Sequence, residues 1–136
     1  RILSSLPPEA FVSGDALELE LLVVNCLKNA LSAIRKNPDG KGEIHISLTS
    51  ESSTTTAFWR LKVQDNGPAV SDEQFRPLAR PVASEKIEGL GLGLSISRTI
   101  AERHAARLEF TRNQPGGLAV SLCIPAVDQP HEEQTA

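Results

Sequence analysis

The sequence predicts an α+β fold of two layers, in which helices pack on one face of a mixed, mostly antiparallel sheet. Two stretches, residues 17–34 and 92–106, carry apolar residues at the spacing of an amphipathic helix. Shorter stretches alternate apolar and polar residues, as strands with one buried face do: residues 43–49, 57–63, 107–112 and 118–124. Since these strands come in pairs, hairpins covered by helices are the expected arrangement.

Composition indicates one globular domain. The 136 residues are 40% hydrophobic and 23% charged, and we expect residues 1–125 to form the domain and residues 126–136 a disordered tail. The net charge of −3 argues against a nucleic-acid partner, which would select a basic surface. Cys26 and Cys123 lie in apolar runs, which favours buried thiols over a disulfide or a zinc site. No apolar run has the length of a membrane span. We therefore expect a cytoplasmic domain, and a membrane anchor in a longer parent protein stays open.

The first half of the chain predicts an edge strand, a long helix and a hairpin. Two prolines end the short stretch at residues 1–6. Asp15 is placed to cap the helix, and Glu18 follows three residues later as in a capping box. The helix must end before Pro38. The polar residues 50–56 are expected to form a long loop between two antiparallel strands.

The second half contains a long segment with little periodicity. Residues 64–91 include three prolines and predict only a short helix at residues 71–75. Long connections in compact domains are usually binding loops or lids, so we predict a lid between Asp65 and Gly93. Residues 113–117 predict the turn between the last two strands.

Two asparagines lie one helical turn apart within the long apolar helix. Asn25 and Asn29 have i, i+4 spacing, so both amides project from one face. Amide oxygens can bind a hard cation such as Mg²⁺, which leaves other positions to waters and phosphate oxygens. The alternative is structural, with one amide bonded to neighbouring backbone and the other exposed.

An aspartate stands where the second hairpin strand ends. Asp65 is followed by Asn66 and Gly67, a pattern typical of a simple turn. The same pattern also suits an adenine site. The carboxylate would accept a hydrogen bond from the exocyclic amine, and the glycine would leave room beside the ring.

A glycine run precedes the second helix. Gly89, Gly91 and Gly93 alternate with leucines, and Lys86 comes just before them. Free backbone N–H groups at the start of a helix bind phosphate, so a phosphate site is one interpretation. A packed turn lined by the leucines is the other.

Four motifs in this order resemble the N, G1, F and G2 boxes of the ATP-binding catalytic domain of sensor histidine kinases. They are residues 25–30, 65–68, 75–78 and 84–94. These kinases belong to the GHKL superfamily, with gyrase B and the mismatch-repair and heat-shock chaperone ATPases. The resemblance covers residues 15–125 and implies the GHKL ATPase fold with ATP and Mg²⁺ as cofactors. It also implies that Phe75 anchors the lid.

The resemblance assigns a role to each motif residue. Asn29 would ligate Mg²⁺ with Asn25 beside it. Asp65 would bind the adenine amine, and Gly67 would give the base room. Lys86 would close over the phosphates from the lid. The phosphates would also be bound by the backbone of Gly89, Leu90, Gly91, Leu92, Gly93 and Leu94.

The resemblance further implies transfer of the γ-phosphate to a histidine. Hydrolysing relatives carry a glutamate where this chain has Asn25, and an amide cannot accept a proton from water. None of His45, His104 and His131 lies in a helix of the phosphoacceptor kind, and His104 is expected to be structural. The acceptor would then lie in an upstream dimerisation domain of a homodimeric parent, with a response regulator as the next partner.

Three residues depart from the pattern of the resembled family. Ala69 replaces a glycine, Glu85 places a negative charge beside Lys86, and Leu118 stands where threonine or serine is common. Two alternatives therefore stay open: a non-catalytic module that senses ATP or docks a partner, and an anti-sigma-factor kinase that phosphorylates serine.

Overall fold

The computed structural model describes residues 1–79 and 93–128. The helices in these ranges are α1 (Ala16–Ile34), α2 (Asp72–Ala79) and α3 (Gly93–Arg103). The strands are β1 (Ile2–Ser5), β2 (Ile44–Ser52), β3 (Ala57–Asp65), β4 (Arg107–Arg112) and β5 (Leu118–Pro125). Every helix and strand that the sequence predicts is present, with bounds that differ by a few residues.

The five strands of the described residues form one mixed sheet in the order β1-β2-β3-β5-β4. β1 runs parallel to β2, and every other neighbouring pair is antiparallel. This order places the end of β3 beside the start of β5. The predicted mixed, mostly antiparallel sheet is therefore confirmed.

The hairpin between β2 and β3 is tighter than the sequence predicts. The expected loop spans residues 50–56, but β2 continues to Ser52 and β3 begins at Ala57. Ser50 pairs with Trp59, and Ser52 pairs with Ala57. Backbone pairing with a neighbouring strand thus outweighs the weak strand preference of these polar residues.

The helices cover one face of the sheet. The main core contains buried residues from both layers: Leu22, Cys26, Ala30, Ile44, Val63, Ile100, Ala101, Leu122 and Ile124. A second cluster joins α2, α3 and β5 through Leu78, Leu94 and Leu118. Val120 packs against both clusters, so α2 lies on the same face as the other two helices. The layered architecture agrees with the predicted two-layer sandwich.

The start of α1 is capped on one side only. The Asp15 carboxylate accepts a hydrogen bond of 3.0 Å from the Glu18 backbone N–H, as a capping box requires. The Glu18 carboxylate instead forms an ion pair of 3.1 Å with Arg103 of α3. Tertiary contact with α3 therefore replaces the second half of the predicted capping box.

His104 joins the end of α3 to the start of α1. Its Nε2 atom accepts a hydrogen bond of 2.9 Å from the Asp15 backbone N–H. Its Nδ1 atom lies 2.7 Å from the Ile100 carbonyl oxygen, which suits a neutral ring that donates from Nδ1. A Cβ atom on Gly14 would lie 2.3 Å from the ring. These contacts agree with the structural role predicted for His104.

The two shorter helices differ from their predicted bounds. The helix predicted at residues 71–75 extends to Ala79 despite Pro77. Ser71 and Gln74 cap its start reciprocally, since each side chain accepts from the backbone N–H of the other. The helix predicted at residues 92–106 ends earlier, at Arg103, because Ala105 adopts a φ of 51° outside the right-handed helical region.

The chain continues beyond β5 in contact with the N-terminal segment. Ala126 forms an antiparallel bridge with Val12, and the Val127 N–H donates to the Phe11 carbonyl oxygen over 3.0 Å. Residues 129–136 lie outside the described part of the chain, so the division into residues 1–125 and 126–136 stays a prediction.

Within the described ranges, none of the helices combines the length and the apolar character needed to cross a bilayer.

Candidate functional site

The site is built around Asp65, the last residue of β3. Its side chain is buried, with 8% of the residue exposed. The carboxylate Oδ1 accepts a hydrogen bond of 2.8 Å from the Gly67 N–H. Burial raises the pKa of Asp65, and hydrogen bonds from the backbone N–H groups of Gly67 and Leu118 act in the opposite direction. The site therefore contains a desolvated carboxylate in a fixed orientation, which can accept a further hydrogen bond.

The two residues after Asp65 complete a tight turn. The Asn66 side chain accepts a hydrogen bond of 2.6 Å from the Glu43 N–H and so is turned toward β2. A Cβ atom on Gly67 would lie 2.9 Å from the Cβ atom of Ala33 in α1. The turn can therefore approach α1 only because residue 67 is glycine.

The turn between β4 and β5 supports the backbone of Asp65. Asn113 Nδ2 donates to the Asp65 carbonyl oxygen over 3.1 Å. The Gly117 N–H donates to the Pro68 carbonyl oxygen over 3.2 Å. Gly117 has a φ of +100°, and a Cβ atom there would lie 2.0 Å from the Asp65 carbonyl oxygen. This turn thus requires glycine both for its conformation and for its close approach to Asp65.

Asp65 borders a pocket of about 140 Å³ between α1, α2 and the sheet. Most of the residues around it are apolar, and three of its polar side chains are Asn29, Lys36 and Gln74. The remaining lining residues are Cys26, Ala30, Ala33, Val63, Pro68, Ala69, Val70, Leu78, Leu94, Phe110, Leu118 and Val120. An apolar enclosure with few polar groups suits a flat, largely apolar ring that carries a hydrogen-bond donor.

The structure brings three of the predicted site residues to this pocket: Asn29, Asp65 and Leu94. Gly67 adjoins it through its hydrogen bond to Asp65. Asn25 lies one turn before Asn29 on α1 and is not among the lining residues. Its Nδ2 atom is buried without a hydrogen-bond partner among the described residues. Such an atom is costly unless a ligand or water completes it.

The predicted lid and glycine run are covered only in part. Gly93 is the first residue of α3, and the buried side chain of Leu94 packs against α2. Lys86, Gly89, Leu90, Gly91 and Leu92 lie outside the described residues. The predicted departure at Glu85 also lies there.

Several residues of the pocket wall were not singled out from the sequence. Cys26 faces the pocket from α1, and burial raises the pKa of its thiol to about 11, so the thiol is neutral at physiological pH. Lys36 and Gln74 line the pocket from the ends of two helices. Their helical positions gave no signal, because sequence alone does not show which faces of α1 and α2 meet.

Leu118 corrects one reading of the sequence pattern. It was considered as a departure that removes a side-chain hydroxyl beside the aspartate. Its backbone N–H still bonds to the Asp65 carboxylate, while its side chain is buried in the apolar wall. Backbone can thus support Asp65 whatever the side chain at residue 118.

The chain matches the family model described as histidine kinase-, DNA gyrase B-, and HSP90-like ATPase over residues 14–128. Among curated proteins, sporulation kinase B of Bacillus subtilis is 36% identical over 124 residues, with 91% of this chain and 27% of that protein covered. The sensory histidine kinase/phosphatase NtrB of Salmonella typhimurium is 34% identical, with 82% and 32% covered. The chain thus spans about a quarter to a third of the length of these relatives.

Two solved structures are also similar. The catalytic domain of histidine kinase ThkA superposes with a TM-score of 0.68 at 25% identity, with 91% of this chain and 77% of that chain covered. The histidine kinase domain of the Escherichia coli osmosensor EnvZ, solved by NMR, has a TM-score of 0.64 at 28% identity, with 99% and 81% covered.

Proposed function

Because the chain belongs to the histidine kinase-, DNA gyrase B-, and HSP90-like ATPase family and is an ATP-binding domain of the sensor histidine kinase type, we propose that it holds Mg-ATP for phosphoryl transfer to a histidine. The acceptor histidine would lie on a dimerisation domain of the same parent protein. The parent would be a homodimer that passes the phosphoryl group on to a response regulator.

The observation that carries this proposal is the buried carboxylate of Asp65 at the edge of an otherwise apolar pocket. An adenine ring would fill the apolar space and donate its exocyclic amine to Asp65. The backbone N–H of Gly67 holds Oδ1 in place, so the acceptor is oriented before ligand binds. Pre-orientation reduces the entropy lost on binding.

The two asparagines of α1 supply the neighbouring polar groups. Asn29 lines the same pocket as Asp65, and its amide oxygen is a suitable ligand for Mg²⁺, with Asn25 beside it. The unpartnered Nδ2 atom of Asn25 fits a site that is completed by a phosphate oxygen or by a water on the metal. Bound Mg²⁺ would neutralise charge on the phosphate oxygens.

The phosphate side of the proposed site comes from residues beyond the pocket wall. Lys86 would add a positive charge, and backbone N–H groups of the glycine run would donate to phosphate oxygens. The residues proposed for this run are Gly89, Leu90, Gly91, Leu92, Gly93 and Leu94. Since Asn25 cannot act as a general base, the γ-phosphate would wait for a nucleophile from another domain.

Nucleotide titration tests the adenine site. We expect Asp65→Asn to weaken Mg-ATP binding roughly 10- to 150-fold, because the variant loses a charged hydrogen-bond acceptor. The measurement is isothermal titration of the 136-residue chain with Mg-ATP. Asp39→Asn is the matched control, since Asp39 lies in an exposed turn. Unchanged affinity in Asp65→Asn would overturn the assignment of Asp65.

Phosphotransfer tests the kinase reaction itself. The chain is mixed with γ-labelled ATP and a separately produced dimerisation-and-acceptor helix pair from a histidine kinase of the same type. We expect label on a histidine of the helix pair and only trace release of phosphate without it. Binding of ATP without transfer would favour a nucleotide-sensing module, and label on serine would favour a serine kinase. Rapid hydrolysis by the chain alone would contradict the argument from Asn25.

A further inference from the structure

α2 is too short to hold its own position. It has eight residues and contains Pro77, and isolated helices of this length are marginal in water. Its one buried residue among those described is Leu78, near the C-terminal end. The position of its first turn must therefore depend on contacts with the rest of the fold.

Arg112, the last residue of β4, makes those contacts at the first turn. Its Nη1 atom lies 2.5 Å from the Asp72 carboxylate and 3.4 Å from the Val70 carbonyl oxygen. Its guanidinium carbon lies 4.8 Å from the centroid of the Phe75 ring, within the range of a cation–π interaction. One side chain thus contacts the segment before α2, its first residue and its fourth residue.

The other end of α2 is attached to α3. Arg98 Nη2 donates a hydrogen bond of 2.9 Å to the Leu78 carbonyl oxygen. A positive charge is favourable there because the carbonyl end of a helix carries partial negative charge. The Arg98 guanidinium also lies 5.8 Å from the Phe110 ring centroid. Loss of Arg112 would therefore leave α2 attached by Leu78 and Arg98 at its C-terminal end and free at its start.

The start of α2 forms part of the pocket wall. Val70 and Gln74, which flank the Arg112 contacts, both line the pocket beside Asp65. We propose that Arg112 is a positioning residue that holds α2 in the place where the nucleotide pocket is closed on that side. This role rests on the proposed function of the pocket. It implies that affinity for ATP depends on a residue that does not itself line the pocket.

The test compares three variants of the 136-residue chain by two measurements. The variants are Arg112→Ala, Arg112→Lys and, as a matched control, Arg103→Ala, which removes an arginine ion pair with Glu18 at the far end of α3. The measurements are Mg-ATP affinity by titration and amide hydrogen exchange of residues 72–79 without nucleotide. Arg112→Lys keeps a charge near Asp72 but cannot place a planar group over Phe75.

We expect Arg112→Ala to weaken Mg-ATP binding roughly three- to tenfold, as loss of one ion pair and one cation–π contact implies. Hydrogen exchange in α2 should rise in the same variant. Arg112→Lys should fall between Arg112→Ala and the unsubstituted chain in both measurements, and Arg103→Ala should change neither.

Three outcomes would overturn the positioning role. They are unchanged affinity in Arg112→Ala, unchanged exchange in α2, and equal effects in Arg103→Ala, which would indicate general destabilisation. If Arg112→Ala does not fold at the assay temperature, Arg112→Lys carries the same comparison. Failure of the unsubstituted chain to bind ATP would contradict the proposed function, whereas binding that is indifferent to Arg112 would contradict only this inference.

Discussion

At the scale of single residues, Asp65 is a group whose stability and proposed binding requirements conflict. Burial of the ionised carboxylate is unfavourable, and two backbone N–H donors offset this cost only in part, since the pKa remains raised. The same desolvation strengthens any hydrogen bond that the carboxylate accepts from a ligand. We therefore expect the folded chain without nucleotide to be less stable with this charge than without it.

Asp65→Asn is expected to raise the unfolding temperature of the nucleotide-free chain at neutral pH. The pKa of Asp65 is higher in the folded chain than in the unfolded chain, so the folded state binds the proton more tightly. The ionised carboxylate thus lowers stability at neutral pH. This cost disappears as the pH falls through the folded pKa to the ordinary value of about 4.

Thermal unfolding across pH measures this effect. The gain of Asp65→Asn over the unsubstituted chain should be largest at neutral pH and should vanish in acid. Asp39→Asn, on the exposed turn after α1, serves as the comparison variant. A lower unfolding temperature for Asp65→Asn at neutral pH would show that the N–H donors outweigh the cost of burial.

At the scale of elements, the turn between β4 and β5 supports the site more directly than its sequence suggests. Residues 113–117 predict a turn by composition, and the structure shows that this turn lies against the backbone of residues 65–69. Asn113 and Gly117 bond to Asp65 and Pro68. The two turns therefore form one unit, and a change in either should move Asp65.

Gly117→Ala is expected to destabilise this unit and to weaken Mg-ATP binding. The new Cβ atom would lie 2.0 Å from the Asp65 carbonyl oxygen, so backbone must shift. Gly40→Ala is the matched control, because Gly40 also has positive φ, of +67°, but a Cβ atom there meets nothing within 4 Å. We expect a loss of about 1 kcal/mol in the free energy of unfolding for Gly40→Ala and a loss of at least about 3 kcal/mol for Gly117→Ala.

Chemical denaturation and nucleotide titration check this pair of variants. Gly40→Ala should keep its affinity for Mg-ATP, because its turn lies apart from the pocket residues. Equal losses of stability in the two variants would contradict the role assigned to the contact between Gly117 and Asp65, since only the conformational cost of positive φ would then operate.

The α1 terminus is a further case in which an element depends on its neighbours. The Asp15 cap was predictable because it needs only residues close in sequence. The ion pair of Glu18 with Arg103 and the bond from Asp15 to His104 join residues more than 80 positions apart. They were not predictable, because they depend on how α3 lies beside α1.

At the scale of the whole molecule, the predicted fold class and the predicted family are confirmed. Because the chain covers about a quarter to a third of its curated relatives, the proposed phosphotransfer requires a module that these residues do not provide. In this division of labour the chain positions the nucleotide, and a second domain brings the nucleophile. Access of that domain to the γ-phosphate is then the step at which signalling would act.

The sequence by itself determined the elements, their layered class and the motif residues Asn29 and Asp65. These features were predictable because helical spacing, strand alternation and turn residues are local signals, and because four motifs in order are specific. Pairing of Asn29 with Asp65 in one pocket also followed, since both belong to motifs with a shared ligand.

Only the tertiary structure decided which other side chains surround that pocket. The sheet order puts β5 between β3 and β4, and this order brings Asn113 to Asp65. The packing of α2 beside β4 brings Arg112 to Phe75. Contacts between residues some 40 positions apart leave no periodic trace in the sequence, because they depend on strand order and helix packing rather than on local spacing. The chemistry of the site could therefore be predicted from its motifs, whereas the residues that hold it in place could not.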